Sequence, residues 1–320
     1  MSATRLGRTL VIANPASHSG RGASGAEVVR RVLSSYGSAT EGFDLWLTEA
    51  PGQAQTMAAQ AGAYDTVICL GGDGAIHEVV NGLMSLADDE RPCLGVIPLG
   101  SGNDFARTLG LSLNDPEASL AQLLTGTRRR IDIGHVTSDT CPEGTYFAET
   151  LSFGLDAAIA MDTTTRRAEG TRQQGAGLFV TSSLRLLVKA RETLSCTVSI
   201  DGGGERHLDA LLCAVQNGPT YGGGFRICPD AVPDDGLLDL CYNTRRLWLP
   251  HLLFLFGLSR FGLHVRSKAA QIRRGKELVI DFDGKEPPCQ VDGEPMHGTR
   301  YRVEVADGAL CVLVPKACPW

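Results

Sequence analysis

The chain has 320 residues, 43% of them hydrophobic and 21% charged, an ordinary mix for a globular protein with length for one large or two ordinary domains. Its net charge of −6 gives no support to a nucleic-acid binder, which carries a basic excess or stripe. The ten cysteines stand singly, with no Cys-x-x-Cys pair, so a zinc centre is not expected, and buried free thiols in a reducing cytoplasm are.

The first ~130 residues alternate strand and helix. "TLVIAN" (9–14) reads as a buried strand, "GAEVVRRVLSSYG" (25–37) as an amphipathic helix, "FDLWLT" (43–48) as a strand and "AQTMAAQAG" (54–62) as a helix. "TVICL" (66–70), "IHEVVNGLMSLA" (76–87), "CLGVIPL" (93–99) and "NDFARTLGL" (103–111) continue the alternation, which indicates a doubly wound parallel sheet with helices on both faces. After "RRRIDIGHV" (128–136) the texture changes. Helical pattern is read mainly in 174–191 and 247–265, with 166–174 a loop. The rest is strand-like: "CTVSI", "ALLCAVQN", "LLDLCY", "ELVIDF", "CQVDGE", "YRVEV" and "ALCVLV". The expected organisation is an α/β domain over 1–134 and an antiparallel, β-sandwich-like domain over 135–320, with the last strands free to return to the first. The opening residues lack the apolar run of a signal peptide, and "LWLPHLLFLFGL" (247–258) falls short of the roughly 20 residues that span a bilayer.

In an open parallel sheet, ligands bind beyond the carboxyl ends of the strands. Three such ends carry "NPASHSGRG" (14–22), "GGDG" (71–74) and "PLGSGND" (98–104). Glycines admit phosphate oxygens close to the backbone, and the helix starts that follow add N–H donors. Asp73 and Asp104 would repel those phosphates unless a cation such as magnesium stood between. Each turn alone is also ordinary loop chemistry, and Asn103 or Asp104 could simply cap the next helix.

Taken with "HEVVNGL" (77–83), "GVIPLGSGNDFAR" (95–107), "IDIG" (131–134), "PDAVPDDGLLDL" (229–240) and "VDGE" (291–294), the chain resembles the diacylglycerol kinase catalytic-domain family. That family includes the sphingosine and ceramide kinases and bacterial soluble lipid kinases. "GGDG" also occurs in NAD kinases and phosphofructokinases, whereas "GSGNDFAR" and "VDGE" do not belong to them. The resemblance implies a nucleotide-binding α/β domain, a β-rich second domain and an active site in the cleft between them. It places catalytic carboxylates at Asp73, Asp104 and Asp132 and the proton acceptor at Glu294. ATP contacts fall on Asn14, Thr48, Gly71, Gly72, Asp73, Gly74, Ala75, Ile76 and His77, and on Gly100, Ser101, Gly102 and Asn103. A structural magnesium would take the Asp235 carboxylate and the carbonyls of Val232 and Leu237. Asp292 competes with Glu294 for the base role on sequence grounds. Ala75 stands where many relatives carry Thr or Ser, so a hydroxyl contact to phosphate is missing there.

The implied activity is an ATP- and Mg²⁺-dependent transfer of phosphate to a lipid hydroxyl, with diacylglycerol as the first choice and a role in phospholipid biosynthesis. An NAD kinase-like enzyme and a non-catalytic lipid-binding protein on the same fold are the alternatives. Such a protein is expected in the cytoplasm, visiting the membrane surface, with no nucleic-acid partner and with a homodimer left open. The segment 246–268 mixes Trp248, Phe254, Phe256 and Phe261 with Arg260, Arg266 and Lys268; it reads either as an interfacial element or as a core helix.

Overall fold

The computed structural model describes residues 6–35, 40–168, 171, 173, 175–189, 193–244 and 248–320. Two compact units divide the chain: Met1–Ile131 with Gly308–Trp320, and Asp132–Asp307.

In the first unit the elements run β1 (Gly7–Ala13), α1 (Ser17–Ser35), β2 (Thr40–Leu47), α2 (Gln53–Ala58), β3 (Thr66–Gly71), α3 (Asp73–Met84), β4 (Cys93–Pro98), α4 (Asp104–Thr108) and α5 (Pro116–Thr125), followed by β5 (Thr127–Ser138), which runs on into the second unit. The strands are parallel in the order β2-β1-β3-β4. Val67, Ile68, Cys69 and Leu70 of β3 are all fully buried. Successive side chains point to opposite faces, so both faces of this strand are covered, as its unbroken apolar run requires. Burial pushes the Cys69 thiol up to about 12, which makes it packing rather than a nucleophile.

The second unit holds β6 (Thr145–Phe147), β7 (Thr150–Gly154), α6 (Leu155–Ala168), α7 (Gly175–Lys189), β8 (Leu194–Ile200), β9 (Arg206–Ala210), β10 (Leu212–Gln216), β11 (Leu238–Asn243), α8 (Leu249–Ser259), β12 (Ala270–Gly275), β13 (Glu277–Asp281), β14 (Cys289–Val291) and β15 (Glu294–Pro295); a last strand, β16 (Arg300–Val314), begins here. One antiparallel sheet runs β12-β11-β10-β7-β14-β15. A second antiparallel set pairs β9, β8, β13 and the opening residues of β16. Between them lies an aromatic core, with the Phe153 ring 5.1 Å from Phe282 and 4.8 Å from Tyr301. Strand alternation divides the labour on β10 and β11. Cys213, Val215, Leu240 and Tyr242 enter that core, while Ala214 and Cys241 face a separate cluster with Ile159 of α6 and Phe256 of α8. The result is the expected class: a parallel α/β unit and an antiparallel, sandwich-like one.

Three local expectations need correction. Helix α6 lies outside the two segments read as helical, and its Thr163, Thr164 and Thr165 have low helix propensity. The hydroxyls of Thr163 and Thr165 donate to the carbonyls of Ile159 (2.7 Å) and Met161 (3.0 Å), four residues back, and are satisfied inside the helix. "YRVEV" and "ALCVLV" are one 15-residue strand, β16, rather than two. Helix α1 starts earlier than position 25, across a break at His18, Ser19 and Gly20, all with positive φ; Gly37, read as its end, lies outside the described residues, as does most of 169–174.

Candidate functional site

With strand order β2-β1-β3-β4, the direction in which strands are added to the sheet reverses between β1 and β3, although the strands stay parallel. In open parallel sheets such a switch in order leaves a crevice outside the carboxyl ends of the strands, where ligands bind. Asn14, Thr48 and Gly71 sit at those ends. The Asn14 N–H donates to the Leu70 carbonyl, Thr48 to Ala13 and Leu99 to Gly71, at 3.0, 3.0 and 2.7 Å. The Asn14 side chain accepts from the Ala16 N–H at 3.0 Å, which turns the chain sharply after β1.

The second and third glycine loops touch. A Cβ on Gly100 would lie 2.6 Å from the Gly72 Cα and 2.6 Å from Asn103 Oδ1, so only glycine allows this approach. Asp73, the first residue of α3, clamps them: its Oδ2 accepts from the Asn103 N–H (2.7 Å) and its Oδ1 from the Asp104 N–H (2.9 Å). Asn103 is held at φ 55° and ψ 41° and is 1% exposed. A Cβ built on Gly102 would stand 2.7 Å from Asp73 Oδ2 and 3.2 Å from Asp104 Oδ2, so the two carboxylates converge on this glycine. From the first loop, the His18 ring reaches the Gly100 carbonyl at 3.4 Å. The α3 start, which turns backbone N–H groups outward, opens on the same loops.

Ser101 is partly exposed at this edge, and so are Gly72, Gly74 and Ala75. Ile76 is buried, so only its backbone is on offer. His77 is nearly buried, with Asn81 Nδ2 3.0 Å from its carbonyl and 3.4 Å from its Nε2. Among the described residues no three His, Cys, Asp or Glu side chains gather to hold a metal on their own. A magnesium ion carried in by phosphates needs only one or two carboxylates, and the Asp73–Asp104 pair fits that requirement.

The remaining predicted residues belong to the second unit. Asp132 is 1% exposed. Its Oδ2 accepts from the Gly236 N–H (2.7 Å), and its own N–H donates to the Pro233 carbonyl (2.6 Å). It pins the "PDDG" loop from inside. On that loop the Asp235 carboxylate accepts from the Leu237 N–H (3.1 Å) and lies 3.5 Å from Arg274. The same guanidinium donates to Asp239 Oδ1 (2.8 Å) and to the Asp230 carbonyl (2.7 Å). Burial raises the Asp239 carboxyl above its ordinary value, and Arg274 pulls it back. Arg274 thus ties together Asp230, Asp235 and Asp239 around the loop that carries Val232, Asp235 and Leu237, the residues expected to hold a structural magnesium.

Asp292 and Glu294 part company here. Asp292 and Gly293 form a tight hairpin with φ of 48° and 99°. The Asp292 carboxylate accepts three N–H groups, from Ala148 (2.8 Å), Glu149 (3.2 Å) and Thr150 (2.8 Å). Glu294, two residues on, is exposed at the start of β15. Sequence reading missed a buried polar network beside this hairpin. Gln216 donates to Thr150 (2.5 Å), Gln290 to Ser152 (2.7 Å), and Asn217 to the carbonyls of Asp132 (2.8 Å) and Ala148 (3.0 Å). The one available signal was amide side chains at the ends of otherwise apolar strands.

Residues 8–136 match the family model of the diacylglycerol kinase catalytic domain, and residues 149–314 match the YegS C-terminal NAD kinase beta sandwich-like domain. Fold and matches together define the class: a phosphotransferase of the lipid kinase type. The chain is 32% identical over 260 residues to a Yersinia pestis (strain Pestoides F) protein named "Probable lipid kinase YegS-like", covering 80% of this chain and 81% of that one. A counterpart of the same name from Yersinia pseudotuberculosis serotype O:1b (strain IP 31758) gives the same figures. Two Bacillus anthracis str. Sterne crystal structures share the fold. One has a TM-score of 0.78 at 22% identity, covering 99% of this chain and 97% of that one. The other, described as a diacylglycerol kinase, has 0.71 at 21%, covering 99% of both. The chain belongs to the diacylglycerol kinase catalytic-domain family.

Proposed function

We propose that this chain transfers the γ-phosphate of ATP to the free hydroxyl of a membrane lipid, with diacylglycerol as the acceptor and phosphatidic acid as the product. The observation that carries the reading is the junction of Asp73 with Asn103 and Asp104 across two touching glycine loops, at the crevice of a parallel sheet. The loops and the α3 start receive the phosphates through backbone N–H groups. Asp73 and Asp104 would hold a magnesium ion, which neutralises charge on the terminal phosphates. Asp73 also keeps the third loop in shape, so part of its work is positional. Asp132 positions the "PDDG" loop of the second unit rather than meeting a reactant itself.

In the transfer, the lipid hydroxyl oxygen bonds to the γ-phosphorus, the bond from that phosphorus to the β–γ bridging oxygen breaks, and ADP leaves. The hydroxyl proton goes to the Glu294 carboxylate. Glu294 suits that role better than Asp292, whose carboxylate is engaged by three backbone N–H groups. The test is γ-labelled ATP supplied with diacylglycerol in mixed micelles, beside free NAD. Label in phosphatidic acid, lost in Asp73→Ala and Glu294→Gln, supports the reading. Label only in NADP overturns it, as does lipid phosphorylation that persists unchanged in both variants. A panel of monoacylglycerol, sphingoid base and polyprenol acceptors then tests the choice of lipid.

A further inference from the structure

Hydrophobic exposure in this molecule is concentrated. Of the large apolar side chains exposed among the described residues, the three most open are Trp248 (72%), Phe254 (62%) and Phe261 (72%), with Leu249 beside them. All four lie on or next to α8. That helix has two apolar faces. Leu252, Leu255, Phe256 and Ser259, at helical spacing, turn inward and line an apolar cavity with Leu155, Ile159 and Tyr221. Pro250, Phe254 and Gly257 form the outward stripe. A helix apolar all round is normally buried, and this one is buried on one side only.

Charge supplies the second observation. From Leu240 to Lys276 the sequence holds eight arginines and lysines and no aspartate or glutamate, in a chain of net charge −6. Arg266 and Lys268 are exposed in the segment that follows α8, whereas Arg273 lies opposite Leu240 and so points to the other face of its sheet. Arg260 is not available in the same way, because it donates to the Gly224 carbonyl and lies over the Phe225 ring. An aromatic ridge beside exposed cations matches the boundary layer of an anionic bilayer, with rings among the acyl chains and cations at the phosphates. At 11 residues the helix is far too short to span, and no helix among the described residues is long and apolar enough to cross.

We infer that α8, with Trp248, Phe254 and Phe261 as anchors and Arg266 and Lys268 as the cationic rim, is the element by which this protein docks on anionic membrane surfaces. The inference rests on the lipid-kinase reading for its purpose, since an enzyme with a bilayer-resident acceptor must meet the bilayer. It does not rest on that reading for its evidence.

The experiment is co-sedimentation of the full chain with phosphatidylcholine vesicles, with and without phosphatidylglycerol, at low and high salt. Binding should require the anionic lipid and weaken at high salt. Trp248 emission should shift to the blue on binding, a shift absent in Trp248→Phe. Replacing Arg266 and Lys268 by glutamine should lower partitioning roughly 25-fold, at about fivefold per cation. Replacing Trp248, Phe254 and Phe261 by serine should cost on the order of tenfold per ring. Both the cation variant and the aromatic variant should keep wild-type turnover on a short-chain, water-soluble diacylglycerol and lose it on long-chain diacylglycerol in vesicles. Vesicle binding unchanged in both variants overturns the docking assignment. So does a lipid-free dimer that Phe254→Ser with Phe261→Ser converts to monomer, which would make the ridge a contact between copies. If the chain binds vesicles through α8 yet phosphorylates no lipid, docking stands and the kinase reading falls.

Discussion

Replacing Asp73 by asparagine isolates the structural half of that residue's work. Asparagine keeps the shape of the side chain, yet only one of its two terminal atoms can accept a hydrogen bond. In the native protein both carboxylate oxygens accept, from the Asn103 N–H at 2.7 Å and the Asp104 N–H at 2.9 Å. A hydrogen bond to a charged acceptor contributes about 1.5–3 kcal/mol, and the variant also sets an NH₂ group against a backbone N–H. We expect about 2 kcal/mol of local stability to be lost in the third glycine loop, which at 1.36 kcal/mol per tenfold is roughly a 30-fold rise in loop opening. Amide hydrogen exchange over residues 101–106 should accelerate by that factor, while amides in β13 keep their protection. Unchanged exchange at Asn103 and Asp104 would refute the clamp. If phosphotransfer were lost while exchange stayed the same, Asp73 would serve the nucleotide alone.

Gly100→Ala should force the two loops apart, because its Cβ would stand 2.6 Å from the Gly72 Cα; a cost of about 1–3 kcal/mol and weaker ATP binding are expected, read by thermal melts and nucleotide titration. Ser19→Gly should stabilise by roughly 0.5–1 kcal/mol, since a non-glycine residue at φ 58° costs about 1–2 kcal/mol and glycine returns part of that through the unfolded chain; denaturant melts check it. Arg274→Gln strands the buried Asp239 carboxylate and should cost about 2 kcal/mol at neutral pH, allowing for the partial exposure of the guanidinium. The pH dependence has a definite sign. Asp239 already has a raised carboxyl pKa, and losing Arg274 raises it further. A carboxyl raised above its unfolded value favours the folded state at acid pH and loses that contribution as pH climbs through the folded value. The variant's deficit should therefore shrink on acidification, and urea melts showing it grow would refute the assignment.

Each glycine turn alone is ordinary loop chemistry; the loops were legible because two of them, "GGDG" and "GSGND", each follow an apolar strand and precede a helix. The fold class followed from the change in period near residue 136. What could not be read was occupancy. Nothing local in "GGDG" says that both oxygens of Asp73 are engaged by backbone thirty residues on, or that Asp292 is spent on three N–H groups. Nothing local sets Arg274 apart from Arg273 and Lys276 beside it; only the pairing of β11 with β12 sets it against Asp239. Helix α6 was hidden by threonines whose hydroxyls find partners only once the helix exists. The family resemblance named Asp132 and Glu294, but telling a loop pin from an exposed carboxylate took coordinates.

The closing stretch of the chain bears on how the protein is made. Residues 308–320 belong to the first unit: Val312 lies beside Leu94 of β4, Arg91 donates to the Ala309 carbonyl, and Trp320 Nε1 donates to the Thr108 carbonyl at 2.7 Å. On the ribosome the first unit is begun first and finished last, waiting with an open sheet edge until the whole of the second has emerged. A fragment cut near residue 136 to express that half alone would carry the same unfinished edge, and adding the last thirteen residues back as a peptide should mend it.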